Sequence, residues 1–356
     1  MGISLSTPAR RAGLEGKERP AIATLCSHSS LQIFHGARTE GLPSIGLSIG
    51  PPSRVYEAFP LARPDRFLSV PRVEELPSLG PQLKEEGAIV IPHGSFVEYV
   101  GPERFARMDV PVFGNRAVIG WESDRRKERE WLEQAHVPMP RRYEDPSEID
   151  GPVIVKYYGA KGGKGFFLAK NAKALEEFQP TGPYVIQEYV LGTRYYAHFF
   201  YSPLSDHGYR AGPGSIELLG MDRRDEANID ELYKLGAQEE LHRAGIRPTF
   251  VVTGNVPVVL RESLLPDLFE IAARIVEKSI DLFGGMVGPF CLEGIMTEEL
   301  EYKVFEISTR IVAGTNLYPS GSPYSDLVAP GLSMGRRIAQ EIRRGVALGR
   351  LDEILS

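Results

Sequence analysis

Apolar residues in this chain fall into short runs set apart by glycine, proline and polar clusters. Early in the chain, runs at residues 21–26, 44–49, 66–70 and 88–91 alternate with turn-rich or helical segments. That alternation predicts a parallel α/β sheet over residues 20 to about 120. The first run leads into Ser27-His28-Ser29-Ser30 and then an apolar-periodic stretch at 31–36, the order strand, polar turn, helix, with a serine as N-cap. Residues 110–113 read as another strand, followed by a charged helix over 122–135. Later strands are predicted at 184–192, 194–201, 215–221 and 249–260, with 222–231 as surface loop or short helix. Residues 264–282 have the period of an amphipathic helix. Runs at 288–295 and 301–308 form a strand pair around the acidic turn 297–300, and a helix over 334–347 closes the chain. No internal repeat interrupts this order.

The chain has 356 residues, enough for a large core divided into two or three domains or subdomains. A net charge of −6 argues against a general nucleic-acid binder, whose phosphate contacts need a basic excess. The clusters Arg125-Arg126-Lys127 and Arg336-Arg337 read as solvated helix faces or as local anion contacts. Cys26 and Cys291 lie far apart within apolar runs, which fits reduced thiols in a cytoplasmic protein better than a disulfide scaffold. No apolar run is long enough to span a bilayer, and residues 1–19 read as a flexible tail.

The chemistry begins at residues 153–168. Two apolar runs flank Gly159-Ala160-Lys161-Gly162-Gly163-Lys164-Gly165, the pattern of a β-hairpin with a basic tip. Glycine lets backbone N–H groups approach an anion closely, and the lysines add charge to that cradle. The spacing is neither that of a Walker A loop nor that of a dinucleotide-binding turn. With Lys156 on the first strand, the object reads as a flap over the phosphates of ATP.

Polar clusters stand at two predicted strand ends, Ser27-His28-Ser29 and Pro92-His93-Gly94-Ser95. Ligands of parallel sheets bind beyond such ends; the plainer alternative is a helix cap and a satisfied turn. Glu293 and Glu306 lie on neighbouring strands within apolar sequence, so they can face one another across the ladder. Paired like charges call for a cation, and oxygen ligands with room for phosphate and water suit Mg²⁺. The alternative is a surface strand pair with both glutamates in water. Arg310 supplies a fixed cation for phosphoryl transfer. The sequence contains no His-Glu-x-x-His and no His-Arg-Asp or Asp-Phe-Gly triplet.

The lysine strand, the glycine flap, the segment Gln187-Glu188-Tyr189-Val190 and the late carboxylates ending at Arg310 together resemble the ATP-grasp superfamily. Over residues 20–356 the chain is similar, more closely, to the archaeal-type 5-formaminoimidazole-4-carboxamide ribonucleotide (FAICAR) synthetase family. Blocks carrying that resemblance include 23–29 (Ala-Thr-Leu-Cys-Ser-His-Ser), 91–96 (Ile-Pro-His-Gly-Ser-Phe) and 113–116 (Phe-Gly-Asn-Arg). Others are 153–166, 218–222, 253–263, 288–292 and 305–316.

The resemblance implies an α/β (α+β) architecture, with an N-terminal Rossmann-like parallel sheet followed by an ATP-grasp fold. The implied division is a substrate-binding domain over 20–121 and an ATP-grasp domain over 122–356, with a flap subdomain to about 190 and a metal-binding part from 191. It implies an ATP-dependent carbon–nitrogen ligase that formylates aminoimidazole carboxamide ribonucleotide (AICAR) with formate, through formyl phosphate, in purine synthesis. His28, Ser95 and Asn255 are implied for AICAR. Lys156, Gly162, Gly163, Gln187, Glu188, Tyr189, Val190 and Glu226 are implied for ATP. Glu293 and Glu306 would hold Mg²⁺ or Mn²⁺, and Lys156 and Arg310 would act at the phosphoryl group. Ser308 stands where many ATP-grasp enzymes carry asparagine. Partners are expected to be small molecules, neither nucleic acid nor membrane, in a cytoplasmic homo-oligomer. The alternatives are an ATP-grasp ligase for another carboxylate, a kinase-like phosphoryl transferase, and a nucleotide-binding protein without turnover.

Overall fold

Four strands, β1 (Ala21–Leu25), β2 (Ser44–Ile49), β3 (Arg66–Val70) and β4 (Ala88–Val90), form a parallel sheet in the order β3-β2-β1-β4. Every residue of β1 is buried, which explains a continuous apolar run there in place of alternation. The computed structural model describes residues 13–157, 166–175, 182–228, 236, 238–245, 250–312, 321–322 and 324–356. The expected tail over 1–19 is anchored where it is described: Leu14 is buried, and Arg19 donates to the Gly41 carbonyl.

The sheet is closed by the far end of the chain. Helix Met334–Leu348 crosses helix Ser30–Thr39 at Gly335 and Gly36, where a Cβ on either would collide with the facing backbone. Glu40 ties the crossing by accepting from Arg336, Gln340 and Arg343. Ser356 exchanges backbone hydrogen bonds with Val112.

A second sheet, in the order β5-β8-β6-β7, contains β5 (Arg142–Tyr143), β6 (Val153–Tyr157), β7 (Phe166–Ala169) and β8 (Tyr184–Glu188). β6 and β7 pair antiparallel as the predicted hairpin, over a small core that includes Val153, Val155 and Ile186. The hairpin tip, with Gly162 and Gly163, lies outside the described residues.

The largest sheet contains β9 (Thr193–Ser202), β10 (Tyr209–Ala211), β11 (Gly214–Asn228), β12 (Phe250–Pro257), β13 (Gly288–Met296) and β14 (Tyr302–Ser308). Its order is β10-β11-β9-β13-β14, with β12 added to β11, and all its pairs are antiparallel. Helix Leu265–Phe283 covers one face through residues such as Leu268, Ile271, Ile275 and Val276, with Phe269 edge-on to Phe199.

Several local expectations are corrected. β11 continues through Asp222 to Asn228, where a loop or short helix was expected. The alternating charges there are strand residues with partners across the sheet: Asp222 with His198, Arg224 with Glu293 and Glu226 with Arg194. Residues 110–113 form only bridges, Val90 to Val112 and Phe113 to Leu355. The charged helix is two helices, Ala117–Glu122 and Arg125–Gln134, because the Asp124 side chain caps the second by accepting from Arg126 N–H. The serine cap of helix Ser30–Thr39 is absent: Ser29 sits at φ 67° without a side-chain cap bond, and the Ser30 hydroxyl donates back to the Ser27 carbonyl.

Candidate active site

The site grows from the register of the large sheet. Glu293 on β13 and Glu306 on β14 are direct register partners, and register partners share a face. Glu293 is buried, while water reaches Glu306 although protein surrounds it on most sides. That confinement, together with the Glu293 charge, pushes Glu306 up to about 7. The pair is a set of hard oxygen donors whose mutual repulsion a divalent cation would relieve, so these residues fit Mg²⁺ or Mn²⁺. Among the described residues no cluster of three or more His, Cys, Asp or Glu forms a cage. Two carboxylates that share a cation with substrate phosphates are the usual arrangement for Mg²⁺. Ser308 donates to Glu293 at 3.2 Å, which orients that carboxylate.

Two further carboxylates reach β14 from the helices before the hairpin. Glu128 is buried and accepts the Ile307 N–H at 2.8 Å. Burial, then the Glu306 charge, holds its carboxyl well above the usual range. Glu122 meets Arg310 at 2.6 Å through one oxygen. Its other oxygen accepts from Thr309 N–H at 2.9 Å and from Thr309 Oγ1 at 2.6 Å. Sequence reasoning missed both glutamates, because within their own helices they look like part of a solvated charged face.

Lys156 lies half-buried on β6. Burial, then Arg125, pushes it down to about 8, while Glu306 and Glu128 pull the other way, so the ammonium lies within electrostatic reach of the carboxylates. At the end of β8, Gln187 is buried in the ladder. The Glu188 carboxylate is already engaged, by Lys303 at 2.8 Å and 3.0 Å and by Arg141 N–H at 2.9 Å. Tyr189 and Val190 follow the strand, with Tyr189 N–H on the Pro152 carbonyl and Val190 buried. Glu226 lies 3.9 Å from Arg194.

The ends of the first sheet converge on the same place. His93 bridges to Ile311, and Gly94 N–H donates to the Ile311 carbonyl, which sets the 93–95 turn beside Arg310. His93 is buried, with Nε2 3.0 Å from the Leu25 carbonyl. Burial, helped by the nearby Arg310 and His28 charges, lowers it to about 4, so its ring is neutral. Neutral, with Nε2–H donating, it turns an Nδ1 acceptor inward. His28 is exposed, and the next residue, Ser29, reaches the Val312 carbonyl at 3.5 Å. His93 Nδ1, Ser95 Oγ, Asn255 Oδ1 and Arg310 Nε are all buried without a hydrogen-bond partner among the described residues. Unpaired buried polar atoms are costly and are rare unless a ligand uses them.

Two family models match the chain: "Domain of unknown function (DUF1297)" over residues 173–356 and "Protein of unknown function (DUF1246)" over 22–143. The 5-formaminoimidazole-4-carboxamide-1-(beta)-D-ribofuranosyl 5'-monophosphate synthetase of Methanococcoides burtonii is 58% identical over 337 residues, covering 94% of this chain and 95% of the relative. The chain belongs to this synthetase family. The crystal structure of an IMP biosynthesis protein PurP from Thermococcus kodakaraensis matches with a TM-score of 0.73 at 29% identity, covering 94% of this chain and all of that one. N5-carboxyaminoimidazole ribonucleotide synthetase from Thermotoga maritima shares the fold, with a TM-score of 0.57 at 17% identity over 92% of this chain and 76% of that one. The fold of this FAICAR synthetase family member is therefore ATP-grasp behind a parallel α/β sheet, as the sequence implied. Among the described residues no helix is long and apolar enough to cross a membrane.

Proposed function

We propose that this protein is an ATP- and formate-dependent ligase that formylates the 5-amino group of AICAR to give FAICAR. One observation carries the reading beyond family membership. Arg310, within electrostatic reach of Glu306 in the carboxylate pair Glu293–Glu306 that Lys156 also faces, adjoins the 93–95 turn, whose His93 Nδ1 and Ser95 Oγ lack partners among the described residues. That juxtaposition supports a phosphoryl-transfer centre beside a polar nucleotide pocket.

Formate is a poor electrophile because its carboxylate is anionic and resonance-stabilised. In the first step a formate oxygen attacks the γ-phosphorus, the bond to the β–γ bridging oxygen breaks, and ADP leaves. In the second the AICAR amine attacks the formyl carbon, the carbon–oxygen bond to phosphate breaks, and phosphate departs with the amine proton. Lys156 and Arg310 neutralise charge on the transferring group, and Glu122 fixes the direction of Arg310. A divalent cation, when bound by Glu293 and Glu306, supplies further charge neutralisation at the phosphoryl oxygens.

His28, Ser95 and Asn255 are assigned to AICAR. The ends of β6 and β8, Glu226 and the glycine tip with Gly162 and Gly163 are assigned to ATP. Since Lys303 occupies the Glu188 carboxylate, the adenine contacts of the 187–190 segment fall to its main chain. Residues 20–121 bring His28 and Ser95 to the ribonucleotide, and 122–356 are the ATP-grasp domain, from which Asn255 reaches it. A cytoplasmic setting suits the free thiols Cys26 and Cys291. A homo-oligomer suits the exposed side chains of Val55, Phe59 and Leu61. The test is ADP release with AICAR and formate omitted in turn: omission of formate should abolish it, and release that ignores formate would overturn the reading.

A further inference from the structure

Arg224 has no assigned role, yet it lies in the middle of the site. Its guanidinium stacks 3.6 Å from the centre of the Tyr196 ring and is largely buried. It pairs with Glu293 through Nη1–Oε2 at 3.3 Å and Nη2–Oε1 at 3.4 Å. These contacts are long beside the other buried pairs of the same protein, Arg310–Glu122 at 2.6 Å and Arg337–Glu217 at 2.7 Å. Well-formed guanidinium–carboxylate bonds are about 2.7–2.9 Å. The Arg224–Glu293 contact is a loose resting pair.

On one side Arg224 is the register partner of Asn255, assigned to the ribonucleotide; on the other it faces Glu293, assigned to the cation. When a divalent ion takes the Glu293 oxygens, the guanidinium loses its counter-charge while the Tyr196 ring still holds it in place. Two neighbouring cations with little water between them require an anion that touches both. That anion would lie between the AICAR amine and the phosphoryl-transfer centre, where the acyl donor must stand. A planar fork of donors matches a planar carboxylate with two oxygens.

We propose that Arg224 binds the carboxylate of formate, exchanging Glu293 for the substrate when the cation arrives. The inference rests on the function proposed above and adds the residue that takes the one-carbon acid. A formate held by the Arg224 fork keeps a lone pair on each oxygen outside the two hydrogen bonds, and one of these oxygens attacks the γ-phosphorus. After phosphorylation the same guanidinium stabilises the charge that develops on the formyl oxygen as the amine attacks.

The test uses the full chain with Arg224→Met and Arg224→Lys. For Arg224→Met we expect KM for formate to rise roughly ten- to a hundredfold, the loss of a charge-assisted hydrogen-bonded pair. Affinities for AICAR and for a non-hydrolysable ATP analogue with Mg²⁺, measured by calorimetry, should change by less than about twofold against that rise. Arg224→Lys should be intermediate, because it keeps the charge and loses the fork. Should the methionine variant be inactive, line broadening of ¹³C-formate in the presence of AICAR and the ATP analogue still decides. It should be seen with wild type and be lost in the variant. Unchanged KM and broadening, or a loss that falls on AICAR or ATP, would overturn the inference while leaving the function intact. A wild-type enzyme indifferent to formate would overturn both.

Discussion

Glu122 offers a sharp test of how the site is held, because it serves three donors from the other end of the chain. Its two oxygens bind the Arg310 guanidinium and both donors of Thr309, and its side chain is 9% exposed against 17% for Arg310. Glu122→Ala removes a buried ion pair from one side, leaving Arg310 uncompensated and the Thr309 amide unsatisfied. Breaking a buried pair in that way costs about 3–5 kcal/mol. In a chain of 356 residues that corresponds to a fall in Tm of roughly 4–7 °C. Glu122→Gln keeps an acceptor for Thr309 but gives up the charge, and should lose about 1.5–3 kcal/mol. The functional effect is separate. Without its tether Arg310 no longer points reliably at the transferring phosphoryl group, so kcat should fall roughly ten- to a hundredfold with little change in KM for AICAR. Urea or thermal unfolding and steady-state ADP release measure the two effects. An alanine variant with wild-type Tm and kcat would show that Glu122 neither supports β14 nor positions Arg310.

Glu306→Gln should abolish turnover while AICAR still binds, as calorimetry would show; metal-dependent turnover at the wild-type rate would contradict the assignment. Lys156 is pushed down to about 8, so it is cationic below that pH and loses its charge as pH rises through it. Affinity for the ATP analogue should therefore weaken above about pH 8, and Lys156→Arg, which stays charged, should flatten that dependence; an unchanged profile would argue against a phosphate role. His28→Ala and Asn255→Ala should weaken AICAR binding with much smaller effects on the ATP analogue, and the reverse pattern in calorimetry would exchange the two pockets.

The sequence made the carboxylate pair legible for a local reason. Glu293 and Glu306 flank one short turn within apolar strands, so few registers are available and the observed one sets them opposite each other. The inner strand β1 was legible in the same way, from an apolar run covered on both faces. What stayed hidden depends on partners far along the chain. Glu122 and Glu128 meet residues 187 and 179 positions away, and nothing in their own helices marks them as buried. The second half of β11 alternates acid and base, which looks like surface until His198, Glu293 and Arg194 are placed across from it. Ser29 looked like a helix cap, yet the chain enters that helix through a left-handed residue and closes the turn with Ser30 instead.

The central claim is that formate is activated by phosphorylation over the Glu293–Glu306 floor. It is tested most directly by running the reaction with formate labelled in both oxygens with ¹⁸O. Transfer through formyl phosphate predicts one labelled oxygen in the released phosphate and the other in the formyl group of the product. Unlabelled phosphate would mean that the bond to formate never formed, and would contradict the account.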